Sequence, residues 1–263
     1  MMCTLSVIPR DNGYLLGMNR DERIARGAGL PPQVREVAGA RAIYPTDGHG
    51  GTWLGVNEDA VALALLNWTD LSSQALHTKK RRSRGVLIPA LIGSSTLSAL
   101  RAALASMTIE GILPFRLVGV FPSERKIAEW RWNSVQLESL LHPWEARNWF
   151  SSSLWNTLAE HLRGAACRNA WSEPDAGSAP WLRRLHASHT DASGAFSLCV
   201  HRPEVRTLSY SEVDCTSAAI RMKHSVGSPC TMPPQTVVEI EMVRDIVGPM
   251  ASATNLESSC LSI

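Results

Sequence analysis

The opening of the chain constrains the fold most. The runs "CTLSVIP" (3–9) and "YLLGMN" (14–19) are short, apolar and β-type, and only "RDNG" (10–13) separates them. Asn12-Gly13 is a strong hairpin signal. A loop of four, three or two residues sets Cys3 opposite Arg20, Asp21 or Glu22 respectively. In every register the polar stretch Asn19-Arg20-Asp21-Glu22 ends beside Cys3.

The rest of the chain repeats this antiparallel pattern around two helical regions. "PTDGHGGTWLGV" (45–56) is a glycine-rich turn entering a strand, Asn57-Glu58-Asp59 is a tight turn, and Ala60–Leu66 is a second apolar run. Helices are predicted over 85–93 and 95–107, where Leu97, Leu100, Leu104 and Met107 recur at helical spacing. Residues 115–121 and 126–132 form a hairpin pair, 152–163 is helical, 171–180 is a loop, and 195–202 with 206–213 is a third hairpin. Late strands are expected at 218–226 and 236–242. No regular βαβ repeat occurs, so the fold class is α+β, layered, with 1–263 read as a single domain.

Composition narrows the functions. A net charge of +2 supplies no large one-sign field, which excludes nucleic acid and anionic membranes as obvious partners. No apolar run approaches the ~18 to 20 residues of a membrane span. Arg10, Asp11 and Asn12 break any signal-peptide core, so a cytoplasmic location with reduced thiols is expected. The six cysteines (3, 167, 199, 215, 230, 260) contain no CxxC pair, which argues against a zinc knuckle. The eight histidines, His186 and His189 among them, show no metal-ligand spacing, so no metal or cofactor is expected. "KKRRSR" (79–84) reads as a solvated loop face, "GHGG" (48–51) as a turn, and the nine tryptophans as core or pocket wall.

Cys3 admits two readings. With Leu5 and Val7 it makes one inward face of a strand, and "NRDE" is then a solvated turn. Alternatively it is a nucleophile: an N-terminal cysteine carries thiol and base in one residue, because its α-amine has an ordinary pKa near ~8. Such a site needs a carboxylate to orient the amine, for which Asp21 is placed. It also needs oxyanion donors, for which the amide of Asn67 is a candidate.

"MCTLSVIP", "GYLLGMNRDER", "GGTWLGVNEDAVALALLNW", "RSRG" and "FSLCVHRPEVRTLSYSEV" resemble the NRDE family, also called the transport and Golgi organisation family. That family is similar to the N-terminal nucleophile hydrolases, which implies a four-layer αββα sandwich. Within that class the penicillin V acylases and conjugated bile acid hydrolases share the pattern through Met2-Cys3-Thr4, Gly17-Met18-Asn19-Arg20-Asp21, Asn57-Glu58-Asp59-Ala60 and Leu66-Asn67-Trp68.

The resemblance implies Cys3 as nucleophile, Asp21 orienting its amine, and Asn67 contributing to an oxyanion hole with a backbone N–H. Asn19, Arg20, Ser152 and Trp68 would contact substrate. The acylases' arginine is Met18 here, with Arg20 the candidate replacement from a different face. Ser151 or Ser152 stands where they carry an asparagine, and their second arginine has no assigned match. The function implied is cleavage of a C–N amide bond of a small molecule through a Cys3 thioester. The alternatives are a non-catalytic carrier of haem, lipid or acyl-CoA, and an interaction module with a structural Cys3. The family pattern begins Met-Cys, so Met2 is expected to be the true start, with Cys3 becoming the first residue after its removal.

Overall fold

In the computed structural model the described residues are 2–68, 82–152, 156–189, 194 and 196–242. Their strands build two antiparallel sheets. The six-stranded sheet contains β1 (Met2–Arg10), β2 (Gly13–Arg23), β10 (Arg147–Phe150), β11 (Val205–Cys215), β12 (Ala219–Val226) and β13 (Thr236–Glu241). Their order is β10-β1-β2-β11-β12-β13, which puts the N-terminal hairpin at the centre.

The seven-stranded sheet is a meander in sequence order: β3 (Leu30–Val37), β4 (Ala40–Thr46), β5 (Leu54–Asn57), β6 (Ala62–Asn67), β7 (Phe115–Phe121), β8 (Lys126–Trp132) and β9 (Leu137–His142).

The hairpin closes between Arg10 and Gly13, and Cys3 pairs with Arg20. This is the register expected of the four-residue loop, with Arg10 and Gly13 drawn into the ladder and only Asp11-Asn12 left to turn. Gly13 has φ 138°, and a Cβ there would overlap the Cys215 carbonyl oxygen on β11. Only glycine admits that approach.

Alternation then sorts β1 and β2 onto two faces. Cys3, Leu5, Val7, Tyr14, Leu16 and Met18 point between the sheets, against Val56, Ala62, Ala64, Leu66 and Val118. Ile8 and Leu15 point the other way, against Trp181, Leu182 and Leu185 of α4 (Ala179–Ala187). Gly17 lies under α4, where a Cβ would stand 3.0 Å from the Leu182 side chain. α3 (Asn156–Ala170) packs on the same side.

On the outer face of the seven-stranded sheet lie α1 (Leu87–Leu91) and α2 (Leu97–Ser106), which bury Leu87, Ile88, Leu91, Leu97, Leu100 and Leu104. Thr96 caps α2 by accepting from the Ala99 N–H at 3.1 Å. The layers are therefore helix, sheet, sheet, helix, as expected of an αββα sandwich. No described helix is long and apolar enough to cross a membrane.

Several local expectations change. Residues 196–202 do not form a strand, because their backbone groups are spent on irregular partners. Cys199 N–H donates to Ser188 O at 3.0 Å, and Val200 N–H to Thr207 Oγ1 at 2.8 Å. The real neighbour of β11 is β2. The hairpin β3–β4 and the strands β9 and β10 had no clear signal, since β3 and β9 are largely exposed and lack alternation. Among the tryptophans, Trp130, Trp132, Trp149 and Trp181 are buried in the core and Trp53 walls a cavity.

Candidate active site

Cys3 is fully buried, and its main chain is held by one serine. Its N–H donates to Ser151 Oγ at 2.8 Å, and the Ser151 N–H donates to the Cys3 carbonyl at 2.9 Å. Ser151 follows β10 directly, so the β1–β10 ladder delivers it. Of the two serines left open by the sequence, Ser151 is the one whose hydroxyl meets Cys3; Ser152 is buried beside it.

Cross-strand pairing sets the two key side chains on opposite faces. Cys3 pairs with Arg20, so both point between the sheets, whereas Asp21 pairs with Met2 and points toward α3. Burial and the nearby Asp21 charge push the Cys3 thiol up to about 12, so in this form it is a neutral thiol.

Asp21 is likewise fully buried. Its Oδ1 accepts from Thr207 Oγ1 at 2.6 Å, and Arg163 of α3 stands 3.7 Å from Oδ2. Oδ2 has no hydrogen-bond partner among the described residues. Desolvation therefore outweighs the Arg163 charge and the Thr207 hydrogen bond, raising the carboxyl to about 7. Thr207 reaches Asp21 because β11 shifts register between Thr207 and Ser209, opposite Asp21 and Arg20. A bulge of this kind re-aims side chains at a site.

On the other side of the sheet a cavity of ≈ 290 Å³ opens beside Arg20. Its wall includes Arg20, Glu22, Trp53, Asn67, Arg82 and Arg84, with Arg26 and Asp47 at the margin. Arg20 stacks 4.4 Å over the Trp53 ring and donates to the Gly27 carbonyl at 2.9 Å. Arg26 lies 3.2 Å from Glu22 and 3.6 Å from Asp47, which engages both acids of the wall.

Arg84 donates to Pro114 O at 2.9 Å and Arg82 to Thr108 O at 2.7 Å. Neither forms an ion pair among the described residues, so the wall carries a net positive charge. Burial draws the Arg84 guanidinium down to about 10. The Cys3 sulfur is within electrostatic reach of both Arg20 and Arg84.

The expected site residues divide accordingly. Arg20 and Asn67 line the cavity, whereas Cys3, paired with Arg20, is fully buried and is not part of the cavity wall; Asp21 points to the opposite face of the sheet. Arg20 shares a face with Met18 instead of lying on a different one, because the two are separated by one full strand period. Asn19 spends both amide hydrogens on His186 O at 2.9 Å and Leu198 O at 2.7 Å, which anchors α4 and residue 198 to β2. Trp68 is outside the cavity wall, where the guanidinium groups of Arg116 and Arg131 lie 4.4 and 4.9 Å from its ring centroid.

The sequence missed Arg163 and Thr207, which are remote from the motif and unmarked by any pattern. Arg82 and Arg84 had a signal, the basic run 79–84. That run reads as a solvated face, yet its last residues turn into the cavity; residues 79–81 lie outside the described residues.

The two packed antiparallel sheets, the flanking helices and a cysteine at the head of the central hairpin define the N-terminal nucleophile hydrolase fold. Penicillin V acylase from Agrobacterium tumefaciens shares it with a TM-score of 0.52 at 14% identity, over 91% of this chain and 86% of that one. A mutant of the conjugated bile acid hydrolase from Clostridium perfringens also aligns, with a TM-score of 0.48 at 11% identity over 94% of each chain. Residues 2–136 match the family "Transport and Golgi organisation 2", and the chain belongs to that family. No curated protein matches the chain.

Proposed function

We propose that the protein is an N-terminal-cysteine amide hydrolase acting on a small anionic molecule. The observation that carries this reading is the double hydrogen bond between Ser151 and Cys3, whose cross-strand partner Arg20 lines a cavity in which Arg82 and Arg84 form no ion pair among the described residues. The cavity suits a compact carboxylate or similar anion, with Arg82 and Arg84 as its counter-charges. Haem or acyl-CoA carriage is less well matched at this cavity, since ≈ 290 Å³ is at the small end of ligand pockets.

The chemistry requires removal of Met1 and Met2. The Cys3 nitrogen then becomes an amine, with Ser151 Oγ as its partner and, on the adjacent strand, Asp21, whose Oδ2 accepts no hydrogen bond among the described residues. The amine takes the thiol proton, and the sulfur attacks the substrate carbonyl carbon. The tetrahedral oxyanion is met by Asn67. The C–N bond breaks as the leaving amine receives the proton, and water then hydrolyses the thioester to a carboxylic acid.

The test is to prepare a chain beginning at Cys3, confirm it by intact mass, and challenge it with N-acyl amides bearing a carboxylate. Turnover with a transient acyl adduct on Cys3, lost in Cys3→Ala and weakened in Arg84→Ala, is expected. A correctly trimmed, folded chain that forms no adduct and releases no amine across the panel refutes the proposal.

A further inference from the structure

Far along the chain from Cys3, four residues without any metal-binding spacing meet at one point. His189 follows α4, Cys199 and His201 belong to the irregular segment before β11, and Cys230 follows β12. Cys199 Sγ lies 3.6 Å from Cys230 Sγ and 3.5 Å from His201 Nε2. His201 Nε2 is 3.1 Å from Cys230 Sγ. The ligand atoms of all four residues lie within 4.8 Å of one another.

Zinc bonds of about 2.3 Å to sulfur and 2.0–2.1 Å to nitrogen give a tetrahedron with edges of roughly 3.3–3.8 Å. Of the three edges measured here, those of 3.6 and 3.5 Å fall within that range and the third, 3.1 Å, lies just below it. Two thiols and two imidazoles are also the donor set that selects zinc over magnesium or calcium.

We propose that His189, Cys199, His201 and Cys230 form a tetrahedral Cys2His2 site for zinc. His189 Nδ1 is 3.1 Å from the Cys199 carbonyl, so that nitrogen donates to the backbone and Nε2 is the ligand. The His189 and His201 rings stand 5.1 Å apart, which leaves space between them for an ion. Cys199 is buried, whereas His189, His201 and Cys230 are exposed, so the ion enters from solvent and closes the site against Cys199. Binding releases the two thiol protons and leaves the imidazoles neutral.

The site would pin three segments that no regular ladder joins. The pinned segment includes Leu198, whose carbonyl accepts from Asn19, and Val200, whose N–H is bonded to the hydroxyl of Thr207. Thr207 in turn donates to Asp21. The metal thus braces the segment behind Asp21 without touching it, and it stands independently of any catalysis at Cys3.

The experiment uses the full chain, reduced and stripped with a chelator, then titrated with Co2+ and separately with Zn2+. One equivalent of Co2+ is expected, with the intense d–d bands of tetrahedral coordination and a thiolate-to-cobalt charge-transfer band, both displaced by Zn2+. Cys230→Ser and His201→Ala should lose the stoichiometric site while keeping the far-ultraviolet circular dichroism of the parent. If the variants misfold, the charge-transfer band of the parent chain decides. No thiolate charge-transfer band, the same uptake in folded Cys230→Ser, or a reduced chain that binds no metal and reoxidises to a Cys199–Cys230 disulfide overturns the proposal.

Discussion

Asp21 offers a quantitative test of how the candidate site is built. Burial holds its carboxyl near 7 despite Thr207 and Arg163, about three pH units above the ordinary carboxylate range. At about 1.4 kcal/mol per pH unit, the ionised form costs the folded state on the order of 4 kcal/mol at high pH. The sign is definite. Below about pH 4 the group is protonated in both folded and unfolded chains and contributes no difference. Between about 4 and 7 the folded protein retains a proton that the unfolded chain has lost, so stability falls as pH rises. Above that window the full cost remains.

Asp21→Asn removes the titration and keeps the shape. Urea unfolding of both proteins at intervals from pH 4 to 8 isolates the term, because every other ionisable group is common to the pair. The difference in unfolding free energy should shift in favour of Asp21→Asn by a few kcal/mol across that range and level off above it. A flat difference, or wild type gaining on the variant with pH, would show that Arg163 and Thr207 outweigh desolvation. The carboxylate would then be ionised throughout, and the argument from the unpartnered Oδ2 would be lost.

Ser151→Ala should destabilise the fold by about 1–3 kcal/mol, measured by urea midpoint, because the buried Cys3 N–H loses its acceptor. Gly13→Ala should cost more than about 2 kcal/mol, since its Cβ meets the Cys215 carbonyl at a φ that side chains rarely adopt; an unchanged midpoint contradicts the described hairpin. In the chain that retains both methionines, Cys3 should resist an alkylating probe at pH 8 while exposed Cys230 reacts in metal-free protein, which peptide mapping reads directly.

Much of the fold was legible locally. The alternation of Leu5, Val7, Leu16 and Met18 marks a face buried between sheets, and the spacing of Leu97, Leu100 and Leu104 marks a helix. The proximity of Cys3 to "NRDE" follows from the hairpin alone, because adjacent antiparallel strands bring near-neighbour segments together whatever the loop. Residues 196–202 misled because apolar content without a free ladder partner resembles a strand. Asn19 and Trp68 misled because a motif assigns a position without its contacts. Both side chains are engaged elsewhere, on α4 and against two guanidinium groups.

By itself, then, the amino-acid sequence determined the antiparallel layered class, the family and the Cys3–Asp21 neighbourhood, all encoded in short-range periodicity and a compact motif. Only the tertiary structure decided that Ser151 holds Cys3, that Arg163 and Thr207 reach Asp21, and that His189, Cys199, His201 and Cys230 converge. Those contacts join segments separated by up to 186 residues and by a register shift in β11, and no local pattern carries such distances.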